Sequence, residues 1–271
     1  MSTATMSIPA ADVVRRNRTE AAIRDSAAIA WRNLIGWRRV PQLLVFSTIQ
    51  PVVFVLLFRY AFGGAIRVPG GVRYVDFLMP GIFVQTVVFG AMGTAIGLAT
   101  DLKSGLLERF RTLPMSRSAV MAGRTLADLA RNVFVVALMF AVGYAVGFRV
   151  HTSVVALIAA LLIVLLFSYA MSWVFAVVGL AVGDPETAQA AAFPVLAPLV
   201  FASSVFVPVS TMPTWLQGFA THQPVSVVAT AVRTLVLGGP AGSDSLQAVA
   251  WCVGILLVFA PLAVWRYKRT V

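Results

Sequence analysis

The chain has 271 residues, of which 59% are hydrophobic and 11% charged, and its mean hydropathy is +0.89. Soluble domains carry roughly 25% charged residues, so this composition excludes a water-soluble globular fold and indicates a membrane protein. A net charge of +11 would suggest nucleic-acid binding in a soluble chain. In a membrane protein, basic residues beside the spans set the topology, so we expect membrane lipids rather than nucleic acid as partners.

Six apolar runs approach the roughly 20 residues that a helix needs to cross the hydrocarbon core. None of them alternates between apolar and polar residues, as the strands of a membrane barrel do, so an all-α membrane fold is predicted. The six predicted spans are residues 43–62, 77–100, 133–148, 154–182, 188–207 and 246–265.

The distribution of lysine and arginine predicts the side of the membrane on which each loop lies. Sixteen of the 21 basic residues fall in the N-terminal arm, in residues 101–131 or in the C-terminal tail. Short cytoplasmic loops carry the excess of basic residues in multi-pass proteins. We therefore expect a multi-pass protein of the cytoplasmic membrane, with both termini and residues 101–131 in the cytoplasm.

Residues 1–26 are predicted to form a flexible cytoplasmic arm, and residues 27–271 a single transmembrane domain. Four apolar residues recur at helical spacing just before the first span: Ala27, Trp31, Leu34 and Ile35. A helix with this stripe would lie in the inner interface, with its apolar face toward the acyl chains. The alternative is a plain topology signal whose tryptophans belong at the interface.

The segment between the fifth and sixth spans is too apolar for an ordinary exterior loop. Apolar residues at helical spacing predict two short helices, broken at His222-Gln223-Pro224 and ended by Gly238. Because each is too short to cross, we expect a re-entrant hairpin in the outer leaflet, with a surface-lying amphipathic loop as the alternative. The residues that mark this segment are Pro208, Met212, Pro213, Trp215, Pro224 and Arg233.

The sequence carries no pattern that is typical of an active site or a metal site. Its two histidines, His151 and His222, fall in different loops, and the single cysteine, Cys252, lies in an apolar run. The phosphate-binding pattern G-x-x-x-x-G-K-[ST] does not occur. We therefore expect that the chain is not an enzyme, binds no metal or cofactor and does not itself hydrolyse ATP.

The charged stretch at residues 103–117 carries one apolar stripe. Leu106, Phe110 and Leu113 fall at helical spacing among charged residues, and Pro114 ends the turn. A short helix of this kind suits insertion into the groove of a partner protein. A solvated amphipathic loop on the inner leaflet is an equal alternative.

The same stretch, KSGLLERFRTLPMSR, resembles the cytoplasmic loop of ABC-2-type transporter permeases. The similarity is greatest to the daunorubicin-resistance branch, which includes drug and lipid exporters. In that family a glycine–acidic–basic–Thr-Leu-Pro pattern follows the second span. Residues 206–216, FVPVSTMPTWL, with the following HQPVS and Arg233, resemble the family's segment between spans five and six. The family often has Asn where this chain has Gln223.

The resemblance implies a permease that is driven by a separate subunit. Its partners would be two copies of an ATP-binding cassette ATPase, which would hold ATP and magnesium, and a second permease chain, identical or related. The residues carried over to the ATPase-coupling helix are Leu106, Glu108, Arg109, Phe110, Arg111, Leu113 and Pro114.

The implied cargo is amphipathic or hydrophobic: a drug, a lipid or a glycolipid. Polar or large aromatic residues on spans one, two and five would line its path, namely Gln50, Phe54, Gln85, Phe89, Phe193 and Phe206. Helix packing or lipid contact is the alternative role for each of them. Two other functions stay open: a permease for polysaccharides or lipo-oligosaccharides, and a membrane tether that holds an ATPase without transport.

Overall fold

The structure is a computed structural model that describes residues 41–66, 68–106 and 117–270. Within these ranges every regular element is helical, which confirms the prediction of an all-α fold. The α-helices are α1 Pro41–Leu56, α2 Tyr74–Lys103, α3 Arg117–Ala145, α4 Val154–Val182, α5 Pro185–Phe201, α6 Thr214–His222, α7 Pro224–Leu237 and α8 Ala241–Thr270. α1 continues into a π-helical turn, Leu57–Phe62, and short 3-10 turns occupy Pro69–Gly71 and Val209–Thr211. The predicted arm, 1–26, and interfacial helix, 27–39, lie outside the described residues.

Four of these helices are long and apolar enough to cross a membrane: Tyr74–Lys103, Ala122–Ala145, Val154–Val182 and Gly242–Arg269. Two shorter apolar helices, Thr48–Phe62 and Pro224–Leu237, accompany them. α5 has 17 residues, which span about 25 Å at 1.5 Å per residue. The protein is therefore embedded in the membrane, while the number of six spans stays a prediction.

Helix α3 begins at Arg117, well before the predicted start at Val133. The sequence analysis took the charged residues before Val133 as a loop. They lie inside the helix because three of their side chains, those of Arg124, Asp128 and Arg131, bond to polar groups of α2.

Helix α5 ends at Phe201, before the predicted end at Val207. The backbone leaves the helix at Ala202, and the carbonyl oxygens of Ser204 and Val205 accept hydrogen bonds from the Arg233 guanidinium. These carbonyls are satisfied by a side chain of α7, so the chain turns here without leaving buried acceptors unpaired.

α2 lies at the centre of the described bundle, and most of its residues are buried. Two glycines allow it to approach its neighbours closely. A Cβ atom on Gly81 would overlap the backbone of Val205, and one on Gly179 of α4 would overlap the backbone of Ala95. Close backbone approach through small residues is how membrane helices gain van der Waals packing.

The buried carboxylate of Asp76 joins three parts of the chain at the start of α2. It accepts hydrogen bonds from Arg73 Nε at 2.8 Å and from the backbone N–H of Arg149 at 3.0 Å. His151 Nε2 lies 3.5 Å from the same carboxylate, and the His151 backbone N–H donates to the carbonyl of Val236. The start of α2, the α3–α4 loop and the end of α7 are therefore held together.

Candidate functional site

A cavity of about 200 Å³ lies between α1, α2 and α3. It brings together three of the residues predicted to line a cargo path: Gln50 from α1 and Gln85 and Phe89 from α2. Phe89 contributes to an apolar part of the lining, which also includes Pro51, Met92, Ile96 and Val135. The cavity therefore offers both a polar and an apolar surface within a membrane-embedded bundle.

Two polar atoms of α2 beside the cavity are buried and have no hydrogen-bond partner among the described residues. Gln85 is only 1% exposed, yet its Oε1 atom has no hydrogen-bond partner among the described residues. The same is true of the buried hydroxyl of the adjacent Thr86. An unpaired buried polar group costs about 1–3 kcal/mol, so such groups in a native structure require an explanation.

Arg131 of α3 lies in the wall of the same cavity. Its Nη2 atom donates to the carbonyl oxygen of Gly90 and lies 3.5 Å from Asn132 Oδ1. Asn132 in turn donates from Nδ2 to Ser168 Oγ of α4 at 2.6 Å. These contacts fix the guanidinium at the wall rather than in the loop to which sequence reasoning assigned it.

Glycines on α2 create the space for this arginine. A Cβ atom at Gly93 would lie 2.8 Å from Arg131 Nη1, and one at Gly90 would lie 2.5 Å from Asn132 Oδ1. The recurrence of Gly90, Gly93 and Gly97 along one helix, opposite a helix with buried charges, is the signal by which the sequence could have indicated this pairing.

Two further polar contacts hold α3 against α2. Arg124 forms an ion pair with Asp101, and Thr94 Oγ1 donates to the buried carboxylate of Asp128 at 2.6 Å. Arg124, Asp128 and Arg131 of α3 are thus bonded to groups of α2, as charges in membrane helices usually are.

Phe54 and Phe206, also predicted for the cargo path, belong to an aromatic cluster rather than to the cavity lining. Phe206 lies 5.6 Å from Phe54 and 4.3 Å from Phe58, measured between ring centroids. Phe201 and Phe62 extend the cluster at 5.9 Å from Phe206 and 5.3 Å from Phe58. Stacked rings of this kind join the end of α1 to the turn after α5.

Phe193, the sixth predicted cargo residue, is 51% exposed on α5. It lines neither the cavity nor the aromatic cluster. Its role in a cargo path stays a prediction.

The segment predicted to re-enter the membrane contains α6 and α7. Pro213 precedes α6 and Pro224 begins α7, where the missing N–H of proline is not needed. Gln223 caps α7 by accepting from the Val225 N–H at 3.1 Å, and its Nε2 donates to the Leu199 carbonyl of α5 at 2.9 Å. This double role accounts for Gln223, and entry of the segment into the outer leaflet stays a prediction.

The other marker residues of that segment differ in burial. Pro208 is buried, and its carbonyl accepts from Thr211 Oγ1 at 2.7 Å. The Met212 carbonyl accepts from Gln217 Nε2 at 2.8 Å, while Trp215 is 79% exposed. An exposed tryptophan at this position is typical of a side chain that meets the membrane interface.

Most residues predicted to couple to an ATPase, those from Glu108 to Pro114, lie outside the described residues, and Leu106 is half-buried. The structure does describe the end of α2, which precedes these residues in the chain. Lys103 at the end of α2 lies 2.7 Å from Asp184, which caps α5 through the Thr187 N–H. The hydrogen bond from Lys103 and those from Thr187 lower the pKa of Asp184 to about 2, so the carboxylate stays charged at neutral pH.

The sequence was compared with known protein families. Residues 25–237 match the family described as ABC-2 type transporter. The chain belongs to this family. It shares 35% identity over 239 residues with the daunorubicin resistance ABC transporter permease protein DrrB1 of Streptomyces coeruleorubidus, covering 88% of this chain and 84% of that protein.

More distant relatives have similar coverage. The probable doxorubicin resistance ABC transporter permease protein DrrC of Mycobacterium tuberculosis is 26% identical over 88% of this chain and 86% of its own length. The putative transport permease ycf38 of Pyropia yezoensis is 28% identical over 73% of this chain and 69% of its own length. The resemblance to ABC-2-type permeases of the daunorubicin-resistance branch is therefore confirmed.

Proposed function

We propose that this permease is the membrane-spanning subunit of an exporter that moves an amphipathic or hydrophobic cargo across the cytoplasmic membrane. A separate ATP-binding cassette ATPase, in two copies, would supply the energy, and a second permease chain would complete the pathway. The observation that carries the proposal is the cavity between α1, α2 and α3. Its mixed lining suits a molecule with both a polar and an apolar part, and two of the relatives named above are described as drug-resistance permeases.

The position of the coupling segment supports a mechanism. Residues 104–116 connect the end of α2 to the start of α3, and these two helices form two walls of the cavity. An ATPase that pulls or pushes this segment would therefore act directly on the cavity walls. Transport then requires only that the two conformations of the permease bind the ATPase states with different affinity.

A drug, a lipid and a glycolipid all satisfy the mixed lining, and so does a lipid-linked oligosaccharide. A tether that holds an ATPase without moving a cargo is a second candidate, because it would use the same coupling segment. The effect of cargo on the rate of ATP hydrolysis distinguishes the two functions. An exporter stimulates ATP hydrolysis when cargo binds, whereas a tether does not.

The test is purification of the tagged permease together with a co-expressed ABC ATPase. Phe110→Ala and Glu108→Arg should reduce the amount of ATPase that co-purifies, since loss of an interface anchor of about 2 kcal/mol weakens binding about 30-fold. Trp215→Ala, at an exposed residue far along the chain, serves as the control and should retain the ATPase.

The purified complex is then assayed for ATP hydrolysis with and without an amphipathic drug. Stimulation that disappears in both coupling variants and persists in Trp215→Ala is the expected result. An ATPase that binds equally well to all four proteins would overturn the predicted coupling site. An ATPase that binds but never responds to cargo would favour the tether.

A further inference from the structure

We propose that the exposed face of α5 binds the same face of a second copy of this permease, with the two α5 helices side by side. The proposal rests on the function proposed above, which requires a second permease chain, and it names that chain and the surface that meets it. We call this surface the α5 face; its residues are Gln189, Ala190, Phe193, Pro194 and Pro198, all of them exposed.

Helix α5 has one buried side and one exposed side. The buried residues recur every four positions and have no accessible surface: Ala188, Ala192, Leu196 and Val200. Two residues correspond to about 200° around an α-helix, so Ala190, Pro194 and Pro198 lie at the centre of the opposite side. Helix α5 packs against α2 and α4, which are long and apolar enough to cross a membrane. Its exposed side therefore meets lipid tails unless another chain covers it.

The two prolines at the centre of the α5 face leave backbone acceptors without their usual donors. The helix runs through both prolines and ends at Phe201. Because proline has no N–H, the carbonyl oxygens of Ala190 and Pro194 cannot receive the i+4 hydrogen bond of an α-helix. Lipid tails provide no donor either, and an acceptor left unpaired in hydrocarbon costs free energy. A protein partner with a donor at this position would remove that cost.

Gln189 provides such a donor on the α5 face itself. Its side chain is exposed, so its amide N–H groups are available to another chain. A two-fold axis parallel to the helices places each residue at the same height as its copy. Gln189 of one copy then lies within about 1.5 Å, the rise of one residue, of the height of Ala190 in the other. Each copy can donate to the Ala190 carbonyl of the other, so the face is complementary to itself.

The shape of the α5 face also suits close contact between two copies. A small residue, Ala190, lies at its centre, and small residues allow the backbones of two membrane helices to approach closely. Phe193 lies on the flank of the face and is 51% exposed, so its ring would pack beside the contact of the two helices. A second copy thus accounts for the exposed amide, the acceptors freed by the prolines and the exposed ring on one side of one helix.

Helix α8 shows why an exposed proline alone does not predict such a contact. Pro261 lies inside α8 and removes the donor for the carbonyl of Leu257, and both residues are exposed. Residues 253–261 carry no hydrogen-bonding side chain, so this part of α8 offers no donor to a second copy. The combination of freed carbonyl groups with an adjacent exposed amide distinguishes α5, and α8 supplies the controls for the experiments.

The first test is disulfide cross-linking in membranes without any ATPase. Ala190→Cys is introduced into a Cys252→Ala chain, which has no other cysteine, and two copies with different tags are expressed together. A disulfide requires Cα atoms within about 7 Å, so oxidation should produce a dimer that carries both tags. Leu257→Cys, at a position of α8 that is 72% exposed, is the matched control and should stay monomeric.

The cross-linking experiment has several outcomes that would overturn the proposal. One is the absence of a dimer from Ala190→Cys, and another is equal cross-linking at the two positions, which would indicate random collision. A cross-link to a different protein would show that the α5 face binds another chain. Rapid labelling of Ala190→Cys by a membrane-impermeant thiol reagent, without a cross-link, would show that the face borders water.

The second test asks whether the Gln189 amide holds the two copies together. Energy transfer between labelled copies, diluted in lipid vesicles, measures self-association. Gln189→Leu should weaken it at least about threefold, the contribution of one hydrogen bond between membrane helices. Gln247→Leu, the same substitution at an exposed residue of α8, should leave it unchanged. Equal self-association of the native protein and Gln189→Leu would contradict the hydrogen-bonded contact.

Pro194→Ala separates self-association from folding. Alanine restores an N–H at residue 194, so the Ala190 carbonyl can be paired within its own helix. We expect a folded protein, as judged by thermal unfolding, whose self-association is weaker because the amide of the other copy is no longer needed. Pro261→Ala on α8 is the matched control and should leave self-association unchanged. Unchanged self-association of Pro194→Ala would count against the proposal.

These results can be distinguished from those of the exporter assay. If the copies associate through α5 but cargo never stimulates ATP hydrolysis, the contact between copies stands and the export function fails. If cargo stimulates hydrolysis but Ala190→Cys never cross-links, the exporter stands and the proposed contact fails.

Discussion

Arg233 makes four hydrogen bonds through its guanidinium in the segment between α5 and α8. Although only 8% exposed, its guanidinium donates to the Phe77 carbonyl at 2.8 Å, to Ser204 Oγ at 3.1 Å and to the Val205 carbonyl at 3.1 Å. The guanidinium carbon also lies 3.8 Å from the ring centroid of Phe77. A single planar side chain thus joins α2, the turn after α5 and α7.

Replacement of this arginine should destabilise the protein strongly. Arg233→Leu leaves several buried acceptors without a donor, at about 1–3 kcal/mol for each group. Arg233→Lys should fall between this variant and the native protein, because an ammonium cannot match the fork of a guanidinium. The apparent melting temperature in detergent shows whether the stabilities fall in this order: native protein, Arg233→Lys, Arg233→Leu.

Arg269→Leu is the control, since that guanidinium is exposed and contacts only the Trp265 ring among the partners described for it, at 4.0 Å. We expect little change there. If Arg233→Leu has the same apparent melting temperature as the native protein, the carbonyl groups of the turn must have found other hydrogen-bond donors.

At the scale of helices, α2 has different neighbours on different faces. One face meets α4 through Gly179, where backbone touches backbone, and another contributes Gln85 and Phe89 to the cavity. The close contact fixes α2 relative to α4, so a movement that changes the cavity is expected to involve α1 and α3 relative to this pair.

Gly179→Ala tests that close contact. The added Cβ would overlap the backbone of Ala95, and overpacking of this kind typically costs about 1–3 kcal/mol. Gly254→Ala on α8 is the matched control, because a Cβ there meets nothing within 4 Å. Thermal unfolding should show a loss for the first variant and no loss for the second; equal behaviour would show that α2 and α4 can separate without penalty.

At the scale of the whole molecule, the prediction of six spans requires that α5 crosses the membrane. If α5 spans, the α4–α5 turn and α6 lie on opposite sides; if it does not, they lie on the same side. Because Cys252 is the only cysteine and is buried, a cysteine introduced elsewhere in a Cys252→Ala chain can be labelled without background.

Glu186→Cys and Trp215→Cys, both at exposed positions, are suited to this measurement. In intact cells, a membrane-impermeant thiol reagent should label Trp215→Cys and leave Glu186→Cys unlabelled until the membrane is permeabilised. That result would support six spans with cytoplasmic termini. Identical labelling of the two positions would instead require that α5 does not cross.

The sequence predicts this fold best where its apolar runs are long and uninterrupted. The span at 154–182 coincides with α4, because Ser153 and Gly183 end an apolar run with a good cap at each end. The start of α3 could not be predicted in the same way. Arg124 and Arg131 look like loop residues until their partners on α2, far away in the sequence, are known.

The candidate site follows the same pattern. Gln50 and Gln85 stand out in the sequence as rare polar residues in apolar spans, and the structure places both at one cavity. Arg131 and Asn132 were not predicted for it, since their position depends on how α3 packs against α2. Phe54 and Phe206 were chosen for ring size, a property that serves ring stacking as well as cargo contact.

The glycines that face the arginines of α3 restrict the substitutions expected in natural variants. A Cβ on Gly97 would overlap the Arg124 guanidinium, and one on Gly93 would crowd Arg131. A side chain at either glycine would require the arginine that it faces to move its guanidinium. Among natural variants of this permease, we therefore expect a change at either glycine to be accompanied by a change in the contacts of that arginine.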